Sequence, residues 1–270
     1  MNTLLMCYPR YYTVKYEINP WMHIREKPDP ELATIQWQAL YDTLTGIGIE
    51  VELIDPVEGL PDMVFTANGG LVCGNKFILS NFRHRERQGE AAYFEAWAAG
   101  RAFEVVRLPE GSLFEGEGDL LMFPSSPHNE AGTIVAGYRF RSEIGSHNLV
   151  SELLGREVVS IELASKHFYH LDTCFCPLTE KTAIYYPGAF DDYGLKVLSN
   201  LVEKLIPLGE EDARRFCANA VVRGEDIVMN RCSAALREEL TGLGFILHEL
   251  DLSEFIKAGG SAKCLVLKLD

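Results

Sequence analysis

The stretch Lys263-Cys264-Leu265-Val266-Leu267-Lys268-Leu269 closes the chain as a short apolar strand with a polar start. Taken alone it is half a hairpin. Its partners are found at the opposite end, where Thr3 to Cys7 reads as a second strand, Glu31 to Thr45 as an amphipathic helix and Ile49 to Ile54 as a third strand. The same order (polar residue, apolar strand, turn, second strand, helix, third strand) recurs at intervals of about fifty residues, a period that marks a repeat architecture. One copy runs from Phe65-Thr66-Ala67-Asn68 through Lys76 to Leu79, a helix from about Glu86 to Ala99, and Phe103 to Leu108. The next starts at Gly118-Asp119 and passes through Thr133 to Ala136, a helix near Ser146 to Leu154, and Val158 to Leu163. A third starts at His170-Leu171-Asp172 and continues through Ala183 to Tyr186 and a helix near Tyr193 to Leu205. The fourth starts at Cys217-Ala218-Asn219, with Asp226 to Met229, a helix from Ser233 to Leu243 and a strand Phe245 to Leu250. Ser233 suits the N-cap of that helix.

The two ends of the chain therefore complete a fifth copy between them and close a ring. In this register Asn68, Asp119, Asp172, Asn219 and Cys264 hold equivalent places, and a ring would aim all five at one axis. The other reading is an ordinary α/β chain whose strands look alike because strand and helix alternation is common. No linker interrupts the sequence, so residues 1–270 are expected to form a single catalytic domain. Pro28-Asp29-Pro30 and the segment Ser125 to Gly132 read as surface loops, the latter a hairpin tip. Tyr11 to His23 has no period, and a long loop in a compact unit is often a functional lid.

The 270 residues carry a net charge of −14. That balance excludes the basic footprint of a nucleic-acid binder and disfavours anionic lipid, while suiting a small cationic substrate. Seven cysteines, scattered singly and odd in number, fit a reducing compartment better than a disulfide framework. Cys174 and Cys176 are too close for zinc-ligand spacing, so no metal is expected. The N-terminus lacks the basic flank and apolar run of a signal peptide, and no stretch approaches a membrane span. A cytoplasmic protein is expected, with a homo-oligomer left open.

Chemistry gathers at few places. Gly259, Gly260 and Lys263 precede and flank Cys264; glycines let a backbone fold closely around a ligand, and a cation favours the nucleophilic thiolate. A buried strand cysteine is the plain alternative. His170 and Asp172, two apart at an expected strand start, would share a face, which suits acid/base work near neutral pH; a satisfied core histidine is the alternative. Glu115-Gly116-Glu117-Gly118-Asp119 crowds three carboxylates, which repel unless a cation or proton intervenes. A solvated turn would also accommodate them, but an EF-hand loop would need different spacing. Arg87 and Arg141 offer bidentate grips for a carboxylate, or are simply exposed.

Together these residues resemble the guanidino-group-modifying (pentein) superfamily, and within it the arginine dihydrolase domain of cyanobacterial arginine-catabolic enzymes. The resemblance rests on Ile18-Asn19-Pro20-Trp21-Met22, Asp62 to Asn68, Phe114-Glu115-Gly116 with Gly118-Asp119, Phe168 to Pro177, Tyr186 to Phe190, and Lys257 to Cys264, and spans nearly the whole chain. It implies a five-bladed α/β propeller of ββαβ modules. It also implies Cys264 as nucleophile, His170 as general acid/base, and Glu115 and Asp172 as guanidinium ligands. Arg87 and Arg141 would hold the substrate carboxylate, with Asn68, Asp119 and Asn19 among the substrate-binding positions. Deiminases have an aspartate where this chain and the dihydrolases have Asn68. The chain departs from the longer dihydrolases in ending with this domain, and Glu117 has no implied role. Arginine or a derivative is the expected substrate and no cofactor is implied. A deiminase, a dimethylarginine hydrolase, an amidinotransferase or a non-catalytic arginine binder are the alternatives.

Overall fold

Parallel neighbours in a sheet require a crossover, whereas antiparallel ones need only a turn. Each repeat uses one of each. In the computed structural model, which describes residues 3–123 and 133–270, the strands form five three-stranded sheets. In the four modules continuous in sequence, the first strand pairs antiparallel to the second, and a helix then carries the chain to a third strand parallel to the second. The first sheet contains Gly70–Cys73, Lys76–Leu79 and Glu104–Arg107; the second Leu120–Met122, Ile134–Tyr138 and Val158–Glu162. The third contains Phe175–Pro177, Thr182–Tyr185 and Lys204–Pro207; the fourth Val221–Arg223, Asp226–Asn230 and Ile246–Leu250. The fifth joins the chain ends as expected: Leu4 and Leu5 pair with Lys268 and Leu267, and Thr3–Cys7 runs parallel to Glu50–Ile54.

Apolar packing passes from sheet to sheet all the way round. Leu71, Ile78, Leu120 and Ile134 join the first sheet to the second. Val135, Phe175, Ile184 and Ile227 link the second, third and fourth. Val221 and Val228 meet Leu4 and Val266, and Leu5 and Leu267 meet Phe77 and Leu79. Burying such side chains contributes roughly 1.5–3 kcal/mol each relative to exposure, so each interface holds two neighbouring modules together.

Several local expectations change. The helix expected from Glu86 to Ala99 is two, Arg85–Gln88 and Ala91–Gly100, separated at Gly89, a poor helix former. The helix expected to reach Leu205 ends at Leu201, and Lys204–Pro207 is the third strand of its module. Its start is set by the Asp191 carboxylate, which accepts from the Gly194 N–H. Pro28 to Pro30 is a helix entrance rather than a free loop: Asp29 caps the helix Pro30–Gly46, with proline at its first position. The strand expected from Cys264 onward shrinks to Leu267–Lys268, with a turn at 262–265. Ser233 does cap Ala234–Gly242, accepting from the Leu236 N–H. The hairpin tip expected at 125–132 lies outside the described residues. Among the described residues no helix is long and apolar enough to cross a membrane.

Candidate active site

The tight turn before each first strand is where the polar residue of each module points inward. Asn68 sits on the turn Thr66–Gly69, Asp119 on Gly116–Asp119 and Asp172 on Leu171–Thr173. Asn219 and Cys264 lie on the corresponding bends of the last two modules. All five are at most 2 % exposed. Buried polar groups require partners, and these turns supply one another. Asp119 Oδ1 accepts from the Leu171 N–H of the next module (3.2 Å). Asn219 Nδ2 donates to the Asp172 carbonyl (3.0 Å), and Asn219 Oδ1 accepts from the N–H groups of Ser261 and Cys264 (3.0 Å each). The Cys264 carbonyl accepts from the Ala67 N–H (3.2 Å). The ring of turns thus fixes one module's site residue against the next.

His170 and Asp172 were expected to share a strand face. Instead His170 is extended and Asp172 lies in the turn that follows, and their side chains meet different partners. The Cys264 Sγ lies 3.3 Å from Asp172 Oδ2 and accepts from Asn219 Nδ2 at 3.1 Å. Burial and the Asp172 charge push the thiol well above its ordinary value, against the N–H donors of Ser261 and Asn219. Burial likewise raises the Asp172 carboxyl to about 7, although Lys263 draws it down. Lys263 pairs with Glu117 (2.8 Å), which also accepts from the Lys268 N–H (3.1 Å). The acid without an implied role therefore anchors the lysine that faces Asp172.

Glu115 joins the other half. Its Oε2 accepts from Arg141 Nη1 (2.9 Å) and contacts His170 Nε2 (2.8 Å), while Oε1 accepts from the Arg83 N–H (3.1 Å). Burial works against its charge, but Arg141 and His170 outweigh it and hold Glu115 well below the usual carboxylate range. Both oxygens have partners, and Oε2 ties His170 and Arg141 to one carboxylate. Asp119 is also used internally: besides Leu171 it accepts from the Ser142 N–H (3.0 Å), and burial raises it to about 6. Gly118 must be glycine, because a Cβ there would collide with the Asn68 amide and press on the His170 ring.

Arg87 and Arg141, read as exposed in the plainer alternative, are 3 % and 2 % exposed. Arg87 forms a fork with Glu90 (2.9 and 2.8 Å) and donates from Nη1 to Asn68 Oδ1 (2.7 Å). With its oxygen taken, Asn68 presents Nδ2, which has no partner among the described residues. The segment expected to act as a lid is tied down at five points, one of them the Tyr12 hydroxyl donating to the Glu254 carbonyl (2.8 Å). Tyr16 donates to Asp62 (3.0 Å), the Ile18 carbonyl accepts from Arg141 (3.2 Å), Asn19 donates to the Ala258 carbonyl (3.0 Å), and Trp21 donates to the His167 carbonyl (2.7 Å). Beneath it remains a cavity of about 10 Å³ lined by Asn19, Asp62, Asn68, Arg87, Arg141 and Cys264. A larger cavity of about 710 Å³ opens elsewhere, behind Lys263 and Glu117, away from the thiol. All seven cysteines are free; Cys174 and Cys176 turn to different carbonyls, of Leu171 and Ala220. No metal-holding group of His, Cys, Asp or Glu occurs among the described residues.

A family model described as "N,N dimethylarginine dimethylhydrolase, eukaryotic" matches residues 17–269. The chain belongs to this dimethylarginine dimethylhydrolase family. Over 98% of its length it is 47% identical to the bifunctional arginine dihydrolase/ornithine cyclodeaminase AgrE of Nostoc sp., of which it spans 37%. It is 38% identical over 97% of its length to the N(G),N(G)-dimethylarginine dimethylaminohydrolase of Mycobacterium tuberculosis, covering 83% of that protein. The crystal structure of the N-terminal domain of ArgZ, an arginine dihydrolase from cyanobacteria, bound to substrate, superposes with a TM-score of 0.92 at 46% identity, covering 98% of this chain and 97% of that one. Membership of the dimethylarginine dimethylhydrolase family agrees with the five-module fold. Two buried groups at this family member's thiol and cavity went unassigned from sequence. Asn219 was placed on the axis without a role, and Asp62 was part of a quoted motif only. Asp62 is 1 % exposed, with Oδ1 unpartnered among the described residues; an aspartate six residues before a ring position carries no distinguishing signal.

Proposed function

We propose that this chain is an arginine dihydrolase, hydrolysing the guanidinium of arginine through Cys264. The observation that carries the reading is the convergence, in one buried site, of the Cys264 thiol, Asp172 and the unpartnered amide of Asn68, with His170 held by Glu115 beside them. A guanidinium is a resonance-stabilised cation and a poor electrophile toward water; a thiolate splits the reaction into two easier steps. The cation, bound against Asp172, favours the thiolate by opposite-charge proximity. The thiol proton passes to His170, and the sulfur bonds to the guanidinium carbon. His170 then returns that proton to a terminal nitrogen, which leaves as ammonia. Water, activated by His170, displaces the sulfur and gives the ureido compound citrulline. A second round consumes another water and yields ornithine, carbon dioxide and a second ammonia. Arg141 and Arg87 would meet the α-carboxylate, and the bare oxygen of Asp62 the α-ammonium.

The choice of two rounds rests on Asn68. Its oxygen is committed to Arg87, so what it offers the cavity is a donor. A donor suits the neutral ureido oxygen and retains the intermediate. Mass spectrometry of the products from arginine tests the proposal: ornithine is expected, and citrulline as sole end product would reject it. The family description and the Mycobacterium tuberculosis relative favour a second reading, hydrolysis of dimethylarginine to citrulline and dimethylamine, which the same assay with that substrate decides. The seven free thiols support a reducing compartment such as the cytoplasm.

A further inference from the structure

We infer that Asn219 is a catalytic residue that both aims the Cys264 sulfur and stabilises it as a thiolate by donating a hydrogen bond. The inference rests on Cys264 being the nucleophile. Asn219 is 0 % exposed and uses its whole amide. Oδ1 accepts from the Ser261 and Cys264 N–H groups, so it clamps both ends of the turn that presents the thiol. Nδ2 donates to the Asp172 carbonyl and to Cys264 Sγ. A side-chain amide is the one ordinary group that combines these roles, since a carboxylate lacks the donor and a hydroxyl lacks the span.

The sulfur needs such help. It is buried, and Asp172 Oδ2 lies beside it, so both burial and like charge oppose ionisation. The charged and titratable groups that face it are Asp172 from the turn after His170, Lys263 on its own turn, Tyr169 from the segment before His170, and Asp62, Arg87 and Arg141 across the small cavity that Cys264 lines. Lys263 is committed to Glu117. Asn219 is the side chain within hydrogen-bond distance that donates without bringing a charge of its own. A hydrogen bond to the charged form favours that form.

The test compares Asn219→Asp, Asn219→Ala and Cys264→Ala in the full chain, reading arginine turnover and the pH dependence of thiol alkylation by iodoacetamide. Asn219→Asp keeps the shape and the acceptor but places an oxygen against the sulfur. It is expected to move the alkylation profile upward by at least about one pH unit, a tenfold loss of thiolate at fixed pH. Turnover kcat should fall by about 100-fold or more, with KM within about threefold, as for a group acting in the transition state. A purely structural clamp would leave the alkylation profile of the folded variants in place, and that result overturns the inference. If neither variant folds, the wild-type chain decides: the Asn219 side-chain amide resonances must shift when iodoacetamide alkylates Cys264, and unmoved resonances overturn it. Loss of turnover in Cys264→Ala beside unaffected Asn219 variants rejects the inference alone. Persistent turnover in Cys264→Ala rejects the nucleophile itself.

Discussion

At the scale of single residues, the site works by opposing charge against burial. Under the proposed mechanism, Asn68 sets the outcome of the first round. Replacing it with aspartate leaves an oxygen for Arg87 but turns the donor into a second acceptor, which suits guanidinium and repels the ureido oxygen. Asn68→Asp is therefore expected to shift the product ratio toward citrulline by about tenfold or more, the effect of roughly 1.4 kcal/mol; an unchanged ornithine yield by mass spectrometry would refute this. Asp172 gives a second, thermodynamic expectation. Its folded-state value of about 7 lies above the ordinary carboxylate value of about 3.9 in an unfolded chain. Its contribution to stability is fully present below about pH 4. It is lost as pH rises to about 7, because the unfolded chain ionises there while the folded one resists. Asp172→Asn should abolish turnover yet raise the melting temperature at pH 8 by about 5 °C, with little change at pH 4. Calorimetry at both pH values checks the sign. Cys264, His170 and Asn68 were legible because their neighbours made them chemically odd: glycines and a lysine, a ring position, an amide where a carboxylate is usual. Asn219 was not, because an asparagine at a bend is what turn geometry alone would select.

At the scale of elements, the strands and their order could be read from apolar runs, but the ends of elements could not. Gly89 splits a helix whose amphipathic pattern runs through it. Lys204–Pro207 is too short to stand out from the helix before it, and the Cys264 turn hides inside a strand-like apolar run because its backbone is held by Asn219, far away in sequence. The segment 11–23 is legible only as a loop; what the structure adds is that five hydrogen bonds hold it over a cavity far smaller than arginine. Under the proposed arginine hydrolysis, the segment is then expected to loosen as substrate enters. Trp21→Ala removes the bond to His167 and the contact with Phe216, and is expected to raise KM for arginine by about tenfold with kcat changed less, since remote binding is what it removes. The segment also packs against Gly259, at φ +85°, where a Cβ would lie 2.9 Å from Tyr169 Oη and 3.0 Å from Asn19 Oδ1. Gly259→Ala should cost about 1–3 kcal/mol and speed hydrogen exchange across 16–22; exchange identical to wild type would show that the segment does not depend on this contact.

At the scale of the whole molecule, the fifth sheet makes the two chain ends structurally interdependent, and packing continues through every interface round the ring. Such an arrangement has no outer module whose loss leaves the rest intact, in contrast to an open repeat array, where neighbours unfold in sequence. Leu267 tests the difference. It is fully buried, pairs with Leu5 in the fifth sheet and packs against Phe77 and Leu79 of the first. Leu267→Ala should cost about 2–5 kcal/mol as lost transfer energy and a cavity. If the ring unfolds as a unit, that cost is felt equally at its far side. Native-state hydrogen exchange should then lose the same free energy of protection at Ile184 and Ile227, central in the third and fourth sheets, as at Phe77 beside the substitution. Protection lost at Phe77 but retained at Ile184 would mean that the modules open separately and that the site, assembled from turns of all five, owes its geometry to local bonds rather than to closure of the ring.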